Sequence, residues 1–313
     1  MKSVLLAIHV VLPLLLLMMV GFGARKLKIL NPQLIKELNK LIFLLFLPTL
    51  MFVNVYQTNI REVFDIRLIV FTVTVTTAIF LIAFVLVPRF EKQNPRRGAL
   101  IQAMVRGNGA YFGIPVTVVL IGEQYAGLMA IVVAFAAILY NLFSVIALET
   151  FRNEKVNFLR IVRGVATNPM LLATIAGLIF VSCGIQIPDL LFGTLKDISK
   201  VTTPLALITL GGSFVFTSAG EYKKQITAGV FIKLIFIPAI VLPLAIFQGF
   251  THYELGCIFS LFAAPTAVAT FAVAQQLEGD DVLAGHLVVF TSLFSMVTLF
   301  LWIILLGPFF LTI

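Results

Sequence analysis

Long apolar runs separated by short polar connections fill this chain from one end to the other. Ten runs stand at 4–22, 39–56, 67–88, 99–121, 127–150, 166–184, 201–218, 226–248, 255–276 and 283–306. Each is roughly 20 residues long, the length a helix needs to cross about 30 Å of hydrocarbon. The pattern predicts an all-α integral membrane protein of ten transmembrane helices. The first run lacks the basic head and small-residue cleavage site of a signal peptide, and further spans follow it, so it reads as a permanent helix.

The fourth run departs from the pattern. Within it stands Arg106-Gly107-Asn108-Gly109-Ala110-Tyr111-Phe112-Gly113-Ile114-Pro115, where an uninterrupted helix would be expected. Proline removes a backbone donor and crowds the preceding turn, and glycine weakens a helix interior. A membrane segment tolerates freed backbone groups only where they face protein or a polar cavity. The ninth run has its own interruption, Ala263-Ala264-Pro265-Thr266. Pro265 lies roughly ten residues, about 15 Å, from one face, and Asn108 roughly nine residues, about 14 Å, from the other. Both stretches predict helices broken near the bilayer midplane. The backbone devices are Gly107, Gly109, Gly113 and Pro115 in one and Ala264 and Pro265 in the other.

The chain also repeats itself. Pro32 and Pro48 are sixteen residues apart, as are Pro188 and Pro204, and Lys40 and Lys196 each stand eight residues before the second proline. The second and seventh spans thus correspond, and so do the broken fourth and ninth. Two units result, residues 1–160 and 161–313, each with five spans. An odd number of spans gives the halves opposite orientations, the inverted-repeat plan of secondary transporters.

Composition narrows the class further. Mean hydropathy is +1.09, with 60% hydrophobic and 12% charged residues, which excludes a soluble core. The net charge of +8 raises nucleic acid as a partner, but its placement opposes that. Connections after the odd-numbered spans carry fifteen cations (Arg25, Lys26, Lys28, Lys36, Lys40; Arg89, Lys92, Arg96, Arg97; Arg152, Lys155, Arg160, Arg163; Lys223, Lys224), against five on the other side (Lys2, Arg61, Arg67, Lys196, Lys200). The positive-inside rule puts the odd connections in the cytoplasm and both termini outside. Cys183 and Cys257 stand in separate apolar runs without metal or redox spacing and read as small core residues. No nucleotide-binding loop, metal motif or hydrolytic triad appears, so neither an enzyme nor a cofactor is expected.

Crossed broken helices carry their own chemistry. Two half-helix amino ends offer unpaired N–H donors and partial positive charge, suited to a carboxylate, while the carboxyl ends offer carbonyls to a cation. Arg106 and Lys233 are the two cations within spans. Arg106 adjoins the break, whereas Lys233 stands near a span end, where it either serves function or snorkels. Asn108 offers two donors and an acceptor, as a ligand group or as a cap of the broken helix. Gly109 and Gly113 also have the small-xxx-small spacing of close helix packing. Thr266, next to Pro265, either meets substrate or caps the second half-helix.

Other polar positions carry less. His9 and His286 read as satisfied or interfacial, and Glu149 as a local partner of Arg152. Gln275 and Gln276 either meet a coupling ion or mark an exit to water. Thr72, Thr74, Thr76 and Thr77 do not share one helical face, and Gly211-Gly212-Ser213 either lines a vestibule or allows tight packing.

The 106–115 stretch resembles the fourth-helix motif of the auxin efflux carrier family, and Ala263-Ala264-Pro265-Thr266-Ala267-Val268-Ala269 resembles its ninth-helix motif. The resemblance covers essentially the whole chain, in the compact form of bacterial, malate-permease-like members. The connection after the fifth span lacks the long kinase-regulated loop of plant members. The resemblance implies the bile acid sodium symporter-like fold, in which spans four and nine cross at their breaks. Spans 1, 2, 6 and 7 would form a scaffold and spans 3–5 and 8–10 a moving transport domain, with elevator-type alternating access and homodimers formed through the scaffold. Tyr140-Asn141 resembles the aromatic-asparagine pair that faces substrate in related carriers, making Asn141 either a second ligand or a packing amide. The expectation is a secondary carrier in the cell membrane for a small organic anion such as malate, driven by proton, sodium or exchanged substrate. A sodium-coupled bile-acid-like symporter, a membrane ligand sensor and a channel are the rivals. The span-nine core has no acidic residue to hold sodium, and no appended domain is seen to relay a signal.

Overall fold

The computed structural model describes residues 2–57, 65–152, 159, 162–163, 166–213, 220–250 and 252–310, with only the backbone for 2–11, 14 and 307–310. The cations Arg61, Lys155 and Arg160, the repeat boundary at 160–161, the end of the seventh run and the His9 side chain lie outside the described residues or side chains. All regular structure among the described residues is helical. In chain order the helices are α1 (Lys2–Lys26), α2 (Pro32–Tyr56), α3 (Ile66–Phe90) and α4 (Asn94–Val105). Next come α5 (Gly109–Ile121), α6 (Glu123–Thr150, opening with one 3₁₀ turn), α7 (Pro169–Ser182) and α8 (Asp189–Ser213). The last four are α9 (Lys223–Phe247), α10 (His252–Phe262), α11 (Ala269–Gln276) and α12 (Asp281–Phe310). Every apolar run coincides with a helix, or with a pair of helices in the fourth and ninth runs. By length and composition five of them, Pro32–Tyr56, Ile66–Phe90, Glu123–Thr150, Lys223–Phe247 and Asp281–Leu306, are each sufficient to cross a membrane.

Helices α2 and α8 start earlier than their apolar runs. Asn31 caps α2, its side-chain oxygen accepting from the Leu34 N–H at 2.8 Å, and Pro32 follows at the first helical position. The added turns of α2 bury Ile35 and Asn39 and expose the rest, an amphipathic start that a hydropathy window passes over. Three helices also contain one widened, π-type turn, at Ile42–Phe46, Gly109–Gly113 and Ile232–Phe236. Each is followed, after one residue, by a proline: Pro48, Pro115 and Pro238. Proline has no N–H to donate and its ring crowds the carbonyl four residues back; widening the turn relieves the crowding without ending the helix. Pro115 therefore shapes α5 from inside, while the interruption itself lies at 106–108.

The surface pattern is that of a protein in lipid. Large apolar side chains face outward along the helices, among them Leu44, Leu81, Val85, Ile179, Ile240, Val297 and Ile304, all more than half exposed. Many serines and threonines are turned inward; Thr174, Thr209 and Thr291 donate to carbonyls of their own helices. Cys257 is buried as expected, but Cys183 is exposed at the end of α7, where the helix stops before reaching a core.

Packing joins particular pairs. Helix α1 lies along α8 so closely that a Cβ on Gly21 would stand 1.9 Å from the Ile208 carbonyl oxygen, and one on Gly211 would stand 1.9 Å from that of Met18. The Gly211-Gly212 pair is thus a packing device rather than a vestibule lining. Helix α7 lies along the second half of α2, and Phe52, Tyr56, Phe180 and Phe192 join α2, α7 and α8 through ring contacts at 4.9–5.8 Å between several of their pairs. Elsewhere Phe80 stacks on Phe143 at 4.2 Å between α3 and α6, and Trp302 of α12 donates to the Leu234 carbonyl of α9 at 2.9 Å. Arg67 at the start of α3 donates to the Gln248 carbonyl just after α9.

The α1–α8 contact yields a prediction. Gly211→Leu should force the two helices apart and lower stability by about 1–3 kcal/mol or more, the usual cost of overpacking. Thermal unfolding in detergent reads this directly, with exposed Leu244→Ala as the control expected to change little.

Candidate functional site

The two interruptions meet. Helix α4 ends at Val105 and α5 begins at Gly109; α10 ends at Phe262 and α11 begins at Ala269. Between them Gly107 and Thr266 form a single antiparallel β-bridge. The Asn108 N–H donates to the Pro265 carbonyl at 2.8 Å and the Ala267 N–H donates to the Arg106 carbonyl at 3.0 Å. Each extended piece thereby supplies what the other lacks, so four polar backbone groups inside the protein are satisfied without water.

Further bonds fix the crossing. The Thr266 hydroxyl donates to the Ala103 carbonyl at 3.0 Å, closing part of the exposed carboxyl end of α4, and the Thr266 N–H donates to the Thr291 hydroxyl of α12 at 3.0 Å. The Asn108 carbonyl accepts from Phe112 at 3.0 Å and Gly113 at 3.1 Å, starting α5. Gly113 is required where it stands: a Cβ there would lie 2.7 Å from the Met129 side chain and 3.0 Å from the Ser260 carbonyl oxygen of α10. Lys233, on the widened turn of α9, reaches in and donates to the Met104 carbonyl at 3.2 Å.

A cavity of about 80 Å³ opens beside the crossing. At some 10–15 Å³ for each enclosed water it has room for on the order of six. One wall is the first turn of α5, Gly109 to Tyr111, and the lead-in to α11, Ala267 to Ala269, together with Arg106 and Asn108. At the start of α11 the Thr270 and Phe271 N–H groups donate to the Ala267 and Val268 carbonyls at 3.0 and 3.2 Å. The facing wall comes from α2, through Leu50, Met51 and Asn54, and from α8, through Thr202, Thr203 and Ala206; Tyr140 of α6 closes one side. The Tyr140 hydroxyl hydrogen-bonds the Gly107 backbone, and the Tyr111 hydroxyl bonds Thr203 across the cavity.

The residues singled out in the sequence take distinct places here. Arg106 and Asn108 line the cavity although each is only 4% exposed, and Arg106 Nη1 and Asn108 Nδ2 are buried donors with no partner. Asn141 is buried beside Tyr140 with both side-chain polar atoms unpartnered, but it is not among the cavity-lining residues. Thr266 is fully buried and engaged in the bonds just described, outside the lining. Gly107 and Gly109 line the cavity, Gly113 and Pro115 lie further along α5, and Ala264 and Pro265 form the second break. Lys233 does not snorkel: it is 2% exposed and points to the break.

Further polar groups tie the helices together around the site. Asn39, fully buried on α2, donates to Gln275 at 2.6 Å, and Gln275 donates to Asp281 at 2.6 Å, so this glutamine ties α2 to the α11–α12 turn. Asn39 sits in the polar start of α2, which gave no signal of its own. Glu149 meets Arg152 at 3.4 Å as expected, and Arg152 also pairs with Glu278. Tyr140 was marked in sequence by its pair with Asn141, and Tyr111 by its place in the 106–115 stretch.

Known proteins resemble this chain over most of its length. The family model described as "Membrane transport protein" matches residues 6–303. An uncharacterized transporter of Methanocaldococcus jannaschii is 26% identical over 311 residues, covering 94% of this chain and 96% of its own. A proposed malonate transporter of Rhizobium meliloti is 25% identical over 268 residues, covering 83% of each chain. The uncharacterized transporter YfdV of Escherichia coli is 22% identical, covering 85% of this chain and 87% of its own.

Thr291 supports the crossing without touching the cavity, and its removal is informative. Thr291→Val leaves the Thr266 N–H buried without an acceptor, at a cost of about 1–3 kcal/mol. The expected outcome is a lower unfolding temperature, with Thr291→Ser, which keeps the hydroxyl, close to wild type.

Proposed function

This chain belongs to the membrane transport protein family and is a membrane transporter; we propose that it is a secondary carrier for a small organic anion, a short dicarboxylate such as malate or malonate. One observation carries the reading: two buried, unpartnered donors, Arg106 Nη1 and Asn108 Nδ2, border a cavity where two half-helix amino ends meet. A buried donor left unmade costs free energy that a carboxylate oxygen recovers, and a charge-assisted bond is the stronger kind. The half-helix amino ends add partial positive charge aimed at the same space. The cavity is small, which favours a few-carbon anion over a bile-acid-sized one, and a relative named for malonate transport points to the same class.

In this reading the helices form ten spans, with α4–α5 and α10–α11 each counted as one, in two inverted five-helix repeats. The close α1–α8 and α2–α7 contacts support α1, α2, α7 and α8 as the scaffold, with α3–α6 and α9–α12 as the transport domain. The cavity has α2 and α8 on one side and the crossing on the other, as an elevator-type carrier requires at the boundary of its moving part. Alternating access then carries the crossing and its anion past the scaffold in a cell membrane. Both termini would be extracytoplasmic, and homodimers would form through the scaffold.

Uptake of labelled malonate, malate and longer carboxylates into proteoliposomes tests the proposal. Saturable uptake of the short dicarboxylates is expected. Asn108→Ala and Arg106→Gln should each lower apparent affinity by about tenfold to a hundredfold, the worth of one hydrogen bond to a charged group. Anion-induced thermal stabilisation without any uptake would instead establish a ligand sensor built on the same site.

A further inference from the structure

The carboxyl end of α4 is closed by a charge. Its last carbonyls have no partner within the helix. That of Ala103 is met by the Thr266 hydroxyl, that of Arg106 by the Ala267 N–H, and that of Met104 by the Lys233 ammonium. The first two donors belong to the other broken helix, so the crossing supplies them itself. The third does not. Lys233 comes from the widened Ile232–Phe236 turn of α9, a helix flanking the crossing.

Position and surroundings show what the ammonium meets. The Lys233 Nζ lies 3.4 Å from where a Cβ of Gly107 would stand, so it abuts the backbone between the half-helices. Among the described residues no ion pair joins Lys233 to a carboxylate. The charged group nearest in the chain to that backbone is Arg106, of the same sign. What Lys233 has is the negative end of the α4 dipole, worth roughly half an elementary charge, and a carbonyl. An ammonium kept at such depth is costly, and in an inverted-repeat carrier a carboxyl half-helix end at this depth is where a coupling cation is coordinated.

We propose that Lys233 is a resident cation: its ammonium occupies the carboxyl end of α4 in place of a dissolved coupling cation and holds the crossing in its anion-binding form. The inference rests on the carrier reading above and adds to it the identity of the cation. Lys233 is a positioning residue, acting on the anion through α4 and Gly107. It follows that the carrier works without sodium.

The experiment is carboxylate uptake into proteoliposomes with sodium replaced by choline on both sides. Wild-type uptake of malonate or malate is expected to be unchanged by the replacement. Lys233→Met, which fills the same space without charge, should lower uptake at least tenfold whatever cation is present. Lys233→Ala, which leaves a space, should lose uptake in choline and regain it with millimolar methylammonium or sodium; a merely structural lysine would not show this rescue. Wild-type uptake that requires sodium, or Lys233→Met transporting like wild type, would overturn the proposal. So would Lys233→Ala that unfolds at the wild-type temperature yet is rescued by no cation. If Lys233→Ala does not fold, sodium replacement and Lys233→Met decide. If the wild type moves no carboxylate at all, the carrier reading fails, and the same variants are compared by malonate-induced thermal stabilisation with and without sodium.

Discussion

Two backbone hydrogen bonds hold the centre of this protein, Asn108 N–H to the Pro265 carbonyl and Ala267 N–H to the Arg106 carbonyl. Hydrocarbon offers no alternative partner, and each polar backbone group left open there costs several kcal/mol. A lone broken helix would be unstable at such depth. Two broken helices crossing at their breaks solve the problem for each other, and the rest of the molecule serves that meeting. Thr266 and Thr291 fasten it to α4 and α12, Lys233 closes a carbonyl from α9, and Gly113 lets α5 and α10 touch.

The polar space beside the crossing follows from this arrangement. A bridge only one residue pair long satisfies the carbonyls and amides at its core but leaves the side-chain donors Arg106 Nη1 and Asn108 Nδ2 without partners. Residues 109–111 and 267–269, with Arg106 and Asn108, form one wall, and α2 and α8, through Asn54, Thr202 and Thr203 among others, form the other. Helices α1 and α8 are locked by backbone contact at Gly21 and Gly211.

Much of this was readable in the sequence because lipid enforces simple rules. Ten apolar runs marked the helices, and glycine, asparagine, arginine and proline within two of them marked the breaks. The lysine-proline spacing of the second and seventh runs lies in α2 and α8, which both start before their apolar runs. What stayed hidden depends on distance between segments. Lys233 looked like a span-end lysine because chain position says nothing of which neighbour it reaches. Thr266 read either as a substrate contact or as a cap, because its partners, Ala103 and Thr291, are far away in sequence. Asn39 and Gln275 are 236 residues apart, and nothing local to either announces the bond. The proline after each widened turn was visible, but proline alone does not distinguish a break from a π-type turn: Pro265 lies in a break, and Pro48, Pro115 and Pro238 do not.

The central claim, that a small carboxylate binds where the half-helices meet, is tested most directly by locating one there. Structure determination with bromomalonate, using the anomalous signal of bromine, would place the anion. A bromine peak is expected beside Arg106 and Asn108, between residues 109–111 and 267–269. A peak elsewhere in the protein, with this cavity holding only water, would contradict it.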